Sequence, residues 1–308
     1  MARFMIFGSV GWDRPIWLDR KLDVGGRILG FREQSATDTQ ISGRLGGGAA
    51  NAAACLANAG HDAAVWSITS PDQIGDQIEA SLATLGVNCD YLKRHKLVAG
   101  TTWILIAPDG ERTILFEHSD PNLNRTLRRL QKQQLGKIEI KKVEAYGPNG
   151  VYLRSAFDGF ADLNKLSESI IVSHWPQLID QRPLPADILI GSKDDLITAG
   201  LYRDAFDVAR KACAPRFKWL IVTDGKRGGE IYSRDNKWSY ASPYVEQLDA
   251  TGAGDSFAAG VLEAMTAGAD IVEAASHGAV WGAKSASLPG SAEPRPEKTY
   301  LNWARVKA

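Results

Sequence analysis

The chain has 308 residues, 44% hydrophobic and 23% charged, enough for one large α/β domain with an insertion or for two modest ones, with a sizeable core. Lys plus Arg and Asp plus Glu both total 36, so no net field draws it to nucleic acid or to an anionic membrane. Cys55, Cys89 and Cys213 are scattered and form no CxxC pair, which speaks against a disulfide framework or a structural zinc site and fits a reducing cytoplasm.

In chain order, the apolar run from Met1 to Val10 lacks the basic leader and cleavage site of a signal peptide and reads as a first strand over Phe4 to Phe7. Helical patterns follow over Ala49 to Asn58 and Gln73 to Leu85, with strands at Ala63 to Thr69 and Trp103 to Ile106. Later strands are predicted at Val151 to Leu153, Ile170 to Val172, Ile188 to Ile190 and Trp219 to Thr223, and helices over Leu201 to Ala212 and Ser256 to Ala267. Such alternation implies a mainly parallel sheet covered on both faces. Two stretches break the rhythm. Ile16 to Arg44 is polar and strand-like, and Trp103 to Glu117 reads as two strands around Pro108, Asp109 and Gly110. They predict a small antiparallel sheet that is either a lid over a cleft or a decorated sheet edge. The basic run Lys137 to Lys142 reads as a solvated face or loop, and no later segment reaches the roughly 18 apolar residues of a spanning helix.

The strongest chemical signal runs from Asp249 through Ala250, Thr251, Gly252, Ala253, Gly254 and Asp255 into a helix. Glycines ahead of a helix let backbone amides converge at its positive end, which suits an anion such as a transferring phosphoryl group. Asp255 beside that turn is placed to orient an attacking hydroxyl and take its proton. By itself the motif equally allows Asp255 to be a helix cap. A second motif, Gly46, Gly47, Gly48, Ala49, Ala50 and Asn51, offers close backbone approach to a ligand and, in Asn51, an amide that both donates and accepts.

Together these motifs, with Gly8 to Asp13 after the first strand, resemble the paired signatures of the PfkB carbohydrate kinase family, the ribokinase-like superfamily. The resemblance covers nearly the whole chain. It implies a three-layer α/β/α fold in one domain over residues 1–308, with lid insertions at about 14–45 and 98–118. It implies that Asp13, Gly47, Gly48 and Asn51 hold sugar hydroxyls, that Gly252, Ala253 and Gly254 form the anion hole, and that Asp255 is the base. On the nucleotide side it implies Ser192, the loop Thr223, Asp224, Gly225 and Gly228, and His277 near the adenine, although a helix-surface histidine without a role is an equal reading of His277. ATP and Mg²⁺ are the implied cofactors, with Asp195 reaching the metal through water in place of the longer Glu of many relatives. Asp249 and Thr251, completed by Gly290 and Ser291, match the segment that binds an activating monovalent cation, so potassium activation is allowed by the resemblance without being required. Relatives often pair through their lids, which extends the expectation to a homodimer.

Departures from the family pattern bear on the substrate. Ser173, His174, Trp175 and Pro176 stand where relatives often have Asp followed by Pro or Asn. Arg154, just after a strand, either grips an acidic or phosphorylated substrate or makes an ordinary salt bridge. Trp12, Trp103 and Trp175 either wall a sugar or belong to the core. The expected reaction is transfer of the γ-phosphoryl group of ATP to a hydroxyl of a small sugar, ribokinase- or fructokinase-like; a nucleoside or sugar-acid kinase and a non-catalytic sensor are the alternatives. A dinucleotide enzyme is set aside because neither glycine cluster completes GxGxxG, and a P-loop because Gly136–Lys137 and Gly225–Lys226 are followed by Ile and Arg.

Overall fold

Alternate side chains of Arg3–Phe7 (β1) are buried on opposite faces: Phe4 and Ile6 join one apolar cluster, Met5 and Phe7 the other. A strand that is apolar on both sides belongs inside a parallel sheet covered by helices. The computed structural model describes residues 1–22, 27–31, 43–96, 98, 100–108, 112–116, 133–176, 178, 183–213 and 215–288. After β1 the strands are Gly11–Leu18 (β2), Gly30–Phe31 (β3), Arg44–Gly46 (β4), Asp62–Thr69 (β5), Val87–Asn88 (β6), Leu92–Arg94 (β7), Thr101–Ile106 (β8) and Arg112–Phe116 (β9). Then come Gly150–Leu153 (β10), Ile170–His174 (β11), Ile188–Ser192 (β12), Trp219–Thr223 (β13), Gly229–Tyr232 (β14) and Lys237–Tyr240 (β15). The α-helices are Gly48–Asn58 (α1), Gln73–Thr84 (α2), Ile140–Tyr146 (α3), Lys193–Thr198 (α4), Ala205–Cys213 (α5), Ala253–Thr266 (α6) and Ile271–Ala286 (α7).

Among the described residues the larger sheet has the order β15-β14-β13-β12-β11-β10-β1-β5-β6, with β7 also on β5. All its pairings are parallel except the terminal β13–β14 and β14–β15 ladders. Helices α1, α2, α6 and α7 pack on the face of Phe4 and Ile6, and α3, α4 and α5 on the face of Met5 and Phe7. The result is the three-layer α/β/α arrangement expected. The helix α1 is nearly all alanine on its buried side, which lets it approach α6 closely enough for Cys55 Sγ to donate to Ser256 Oγ at 3.3 Å.

The smaller sheet has the order β3-β2-β8-β9, with β4 also on β2. It departs from the expected antiparallel form, because β2 and β8 run parallel from Trp12–Thr101 to Trp17–Ile106. The remaining pairings are antiparallel, including the β8–β9 pair around Pro108; Asp109 and Gly110 of that turn lie outside the described residues. Three further differences are local. Gly200, at φ 69°, closes α4, and the chain re-enters through a 3-10 turn at Tyr202–Asp204, so the helix predicted from Leu201 starts at Ala205. Gly252 in the left-handed region (φ 76°) starts α6 at Ala253 rather than Ser256. The hairpin of β14 and β15 had no counterpart among the predicted elements. The basic run does face solvent: Lys137, Lys141 and Lys142 are exposed while Ile138 and Val143 enter the core. Trp12 and Trp175 are core residues, and Trp103 carries the Arg14 guanidinium 4.8 Å over its ring. The three cysteines are free thiols, and no helix among the described residues is long and apolar enough to cross a membrane.

Candidate active site

Ligands of open α/β sheets bind beyond the carboxyl ends of the strands, and here β1, β10, β11 and β12 all run toward one end with their polar residues just past or at their tips. Arg154 follows β10, fixed by its own amide and that of Ser155, both donating to the Phe7 carbonyl at 2.8 and 3.2 Å. Asp255 comes from the first turn of α6. Its Oδ1 accepts from Arg154 Nε at 2.8 Å and from the Tyr152 hydroxyl at 3.2 Å, and its Oδ2 accepts from Asn51 Nδ2 at 3.2 Å. Asp255 is buried, and no side chain caps α6. The capping alternative therefore does not describe its role; the carboxylate is turned into the sheet end, not back onto the helix.

The electrostatics keep each partner in one protonation state. Burial and the Asp255 charge push the Tyr152 hydroxyl well above its ordinary value, so it stays a donor. Burial pulls on the Arg154 guanidinium, but Asp255 outweighs it and holds the pKa above normal. Burial, then the Arg154 charge, keeps His174 well below the usual imidazole range, hence neutral. A carboxylate only accepts hydrogen bonds, so the amide nitrogen of Asn51 must face Asp255. That leaves Asn51 Oδ1 buried and without a hydrogen-bond partner. On the other side of Asp255, a Cβ built on Gly254 meets nothing within 4 Å, so the turn opens onto free space. Within the turn the Ala253 amide bends back to the Ala250 carbonyl at 3.2 Å.

The glycine-rich loop packs closely against the protein's own atoms. A Cβ on Gly46 would lie 2.0 Å from Asp13 Oδ2, and one on Gly48 would lie 2.5 Å from Arg154 Cγ. Gly47 holds φ 94°, and a Cβ there would lie 2.5 Å from the Ser9 carbonyl oxygen. These absences of a side chain are what let Asp13 and Arg154 converge beside Asn51. Asp13 lies in β2 opposite Arg44 of β4. Burial pushes its carboxyl up to about 6, with Arg44 pulling it down and Asp249 adding to the rise. Arg44 in turn donates from Nη2 to Asp249 Oδ2 at 2.6 Å, and Asp249 Oδ1 accepts from the Thr251 amide at 2.8 Å.

A second group of residues gathers at the tips of β12 and β13. Ser192 caps α4 by accepting from the Asp195 amide at 3.0 Å, and the Asp195 side chain is exposed beyond it. Asp224 accepts from Lys193 Nζ at 3.1 Å and from Arg227 Nε at 3.0 Å; the Arg227 bond, against the opposing effect of burial and with the Lys193 bond, brings its carboxyl down to about 2. Gly225 and Gly228 take φ of 53° and 87°, and Gly228 packs its bare α-carbon against the Tyr240 carbonyl. Lys193, Tyr202, Asp224, Arg227, Glu230 and Tyr240 contribute to the walls of a cavity of about 390 Å³ there. Thr223, at the tip of β13, pairs with Gly229.

Not every expected residue joins. His277 is buried in the α6–α7 interface, its Nε2 3.1 Å from Glu263 Oε2 and its ring 5.1 Å from that of Trp281. The same Glu263 carboxylate lies 3.3 Å from His61, which precedes β5 and so marks the opposite end of the sheet from Asp255. His277 therefore serves helix packing, and the adenine-side placement is withdrawn. Gly290 and Ser291 lie outside the described residues. Two residues that pattern reading passed over are Tyr152 and Arg44. A tyrosine one residue from the end of an apolar strand, and an arginine just before a triple glycine, were the signals available for them.

A model described as the pfkB family carbohydrate kinase matches residues 18–298. An ATP-dependent ribose-1-phosphate kinase of Halopiger xanaduensis is 25% identical over 303 residues, covering 94% of both chains. Fructokinase-1 of Oryza sativa is 27% identical over 241 residues, covering 70% of this chain and 72% of its own. In fold, the chain is similar to a ribokinase of Arabidopsis thaliana solved with ribose and ATP, at a TM-score of 0.74 and 18% identity over 98% of each chain. With the match spanning nearly all of the sequence, the protein belongs to the pfkB family of carbohydrate kinases and is a phosphotransferase with an alcohol group as acceptor.

Proposed function

We propose that this chain transfers the γ-phosphoryl group of ATP to a hydroxyl of a small ribose- or fructose-like sugar, with Asp255 as general base. The observation that carries the proposal is the buried, unpartnered Asn51 Oδ1 beside the Asp255 carboxylate. A buried acceptor without a donor costs about 1–3 kcal/mol, and a sugar hydroxyl supplies the missing donor. Asp13, Gly47, Gly48 and Asn51 hold the sugar, and the small sheet of β2, β3, β4, β8 and β9 covers it as a lid. The γ-phosphoryl group lies against the amides of Gly252, Gly254 and Asp255 at the positive end of α6, where Gly254 leaves open space. The substrate hydroxyl attacks in line, and its proton passes to Asp255. Little activation of the nucleophile is required in so loose a transition state, so orientation by Arg154, Tyr152 and Asn51 is the main contribution of the protein.

The nucleotide occupies the side of Ser192 and the Thr223 to Gly228 loop, next to the cavity beside Asp224. Among the described residues no cluster of three or more acidic, His or Cys side chains forms a metal cage. One exposed carboxylate, Asp195, suits Mg²⁺, which keeps waters and substrate phosphates as most of its ligands. Bound there, the ion offsets phosphate charge.

A second reading, a phosphorylated or acidic sugar, is favoured by the Arg154 side chain, which is 28% exposed at the mouth of the site, and by the ribose-1-phosphate kinase among its relatives. A panel of ribose, fructose, ribose 1-phosphate, keto-acid sugars and nucleosides, read by ADP formation, decides. Turnover with ribose or fructose is the expected result, preference for an anionic sugar selects the second reading, and no ADP with any compound removes the catalytic proposal and leaves a sensor.

The buried Asp13 adds a pH dependence. The folded chain holds this proton more tightly than the unfolded one, so its contribution to stability is complete below 3.8 and is lost as pH rises through about 6. Sugar binding uses the ionised form, as acceptor for hydroxyls. The KM for the sugar is therefore expected to fall as pH rises through about 6, and Asp13→Asn to raise KM and flatten that profile. A KM independent of pH across that window would remove Asp13 from the sugar site.

A further inference from the structure

The segment around Asp249 is where the family resemblance allows a monovalent cation; Gly290 and Ser291 lie outside the described residues, and among the described ones the donor oxygens are already engaged. Hard cations are held by several free oxygens. Asp249 Oδ2 is taken by Arg44 Nη2 at 2.6 Å and Oδ1 by the Thr251 amide at 2.8 Å. The neighbouring Ala286 carbonyl accepts from both the Leu248 and Asp249 amides, at 2.8 and 3.1 Å. Positive charge is nonetheless present at this place, and it is the guanidinium of Arg44. The pair is largely withdrawn from water, with side chains 17% and 14% exposed.

Arg44 also faces Asp13 across the β2–β4 ladder. Asp13 and Asp249 repel each other, and the one arginine moderates both. It belongs to the small sheet, whereas Asp249 leads into the turn that precedes Asp255, so the ion pair also ties sheet to turn. We infer that Arg44 is a built-in counter-cation that takes the place of a monovalent ion, so that this kinase turns over without potassium. The inference rests on the kinase reading above and concerns how its phosphate-binding turn is held.

The test uses the full-length protein with ATP, Mg²⁺ and the best sugar of the panel, in potassium-free tetramethylammonium buffer and in potassium chloride of equal ionic strength. Wild type is expected to show the same turnover and the same melting temperature in both. Arg44→Gln is expected to lose about tenfold or more in turnover, as when a part-buried ion pair loses one partner, and to regain part of it with potassium. Its melting temperature should rise more in potassium than in tetramethylammonium, while Arg44→Lys, which keeps the charge, stays insensitive. Wild-type turnover that appears only with potassium, or a potassium-specific rise in the wild-type melting temperature, overturns the inference. So does an Arg44→Gln enzyme with full turnover in the potassium-free buffer. If Arg44→Gln does not fold, the wild-type comparison alone decides. Absence of turnover in every salt counts against the kinase reading instead, and the melting comparison still decides the role of Arg44.

Discussion

Replacing Asp255 by Asn is expected to lower turnover about 10²- to 10⁴-fold, the range contributed by a positioned general base, while the protein stays folded. Helix α6 does not depend on the carboxylate, since no side chain caps it and Gly252 sets its start. What depends on it is the Arg154 charge. The pair is partly screened, with the Arg154 side chain 28% exposed, so losing its counter-charge should cost about 1–2 kcal/mol, less than the full penalty of a deeply buried pair. The amide retains one acceptor for Arg154 and Tyr152, and its nitrogen then meets the nitrogen of Asn51, which must turn its own amide over. That rotation satisfies Asn51 Oδ1 from within the protein and removes the acceptor left for the sugar. KM should therefore rise along with the fall in kcat, a signature that loss of a base alone does not give. Steady-state ADP release, with a thermal melt as the folding control, measures both. Turnover within tenfold of wild type would place the base elsewhere.

Arg154→Gln in the same assay completes a cycle. If the arginine acts only through Asp255, its effect should nearly vanish in the Asp255→Asn background. An undiminished effect would instead assign Arg154 to the substrate, as the anionic-sugar reading requires.

Much of this was legible in the sequence because it is written locally. Strands with both faces apolar announce a parallel sheet wherever they fall, and a glycine ahead of an alanine-rich helix announces a helix start whatever packs on it. The Gly252 to Asp255 turn and the Gly46 to Asn51 loop are of this kind. The contacts that make them a site are not. Asn51 and Asp255 are 204 positions apart, and Arg44 and Asp249 are 205, distances at which periodicity carries no information. The same holds for what stands opposite a glycine. The sequence allows either a ligand or a side chain near Gly46 and Gly48, and only the fold brings Asp13 and Arg154 there. His277 failed for the complementary reason: its place on α7 is readable, but which face of α7 meets Glu263 depends on how two helices cross. The mixed pairing of the small sheet is likewise set by how β2 and β8 meet across the intervening domain, not by either strand alone.

Gly48→Ala is expected to remove most activity through Arg154, with a loss of stability of only about 1 kcal/mol. Gly48 opens α1 and does not need a positive φ, so alanine fits its backbone and improves the helix by about 1 kcal/mol. The added methyl, however, lies 2.5 Å from Cγ, 2.7 Å from Nε and 3.0 Å from Cδ of Arg154. These are atoms in the middle of the side chain, not its flexible end. Its backbone is held on Phe7 by the Arg154 and Ser155 amides. The stem must swing out, and Nε leaves Asp255. Gly254→Ala provides the contrast, because the same methyl in the first turn of α6 meets no protein atom within 4 Å. That variant should melt no lower than wild type, and it loses turnover only if a phosphoryl group occupies the open space. Two alanines at two helix starts thus separate a glycine that makes room for a side chain from one that makes room for substrate. If Gly48→Ala retains wild-type turnover, Arg154 does not set the position of Asp255; if Gly254→Ala does, the transferring group does not lie against this turn.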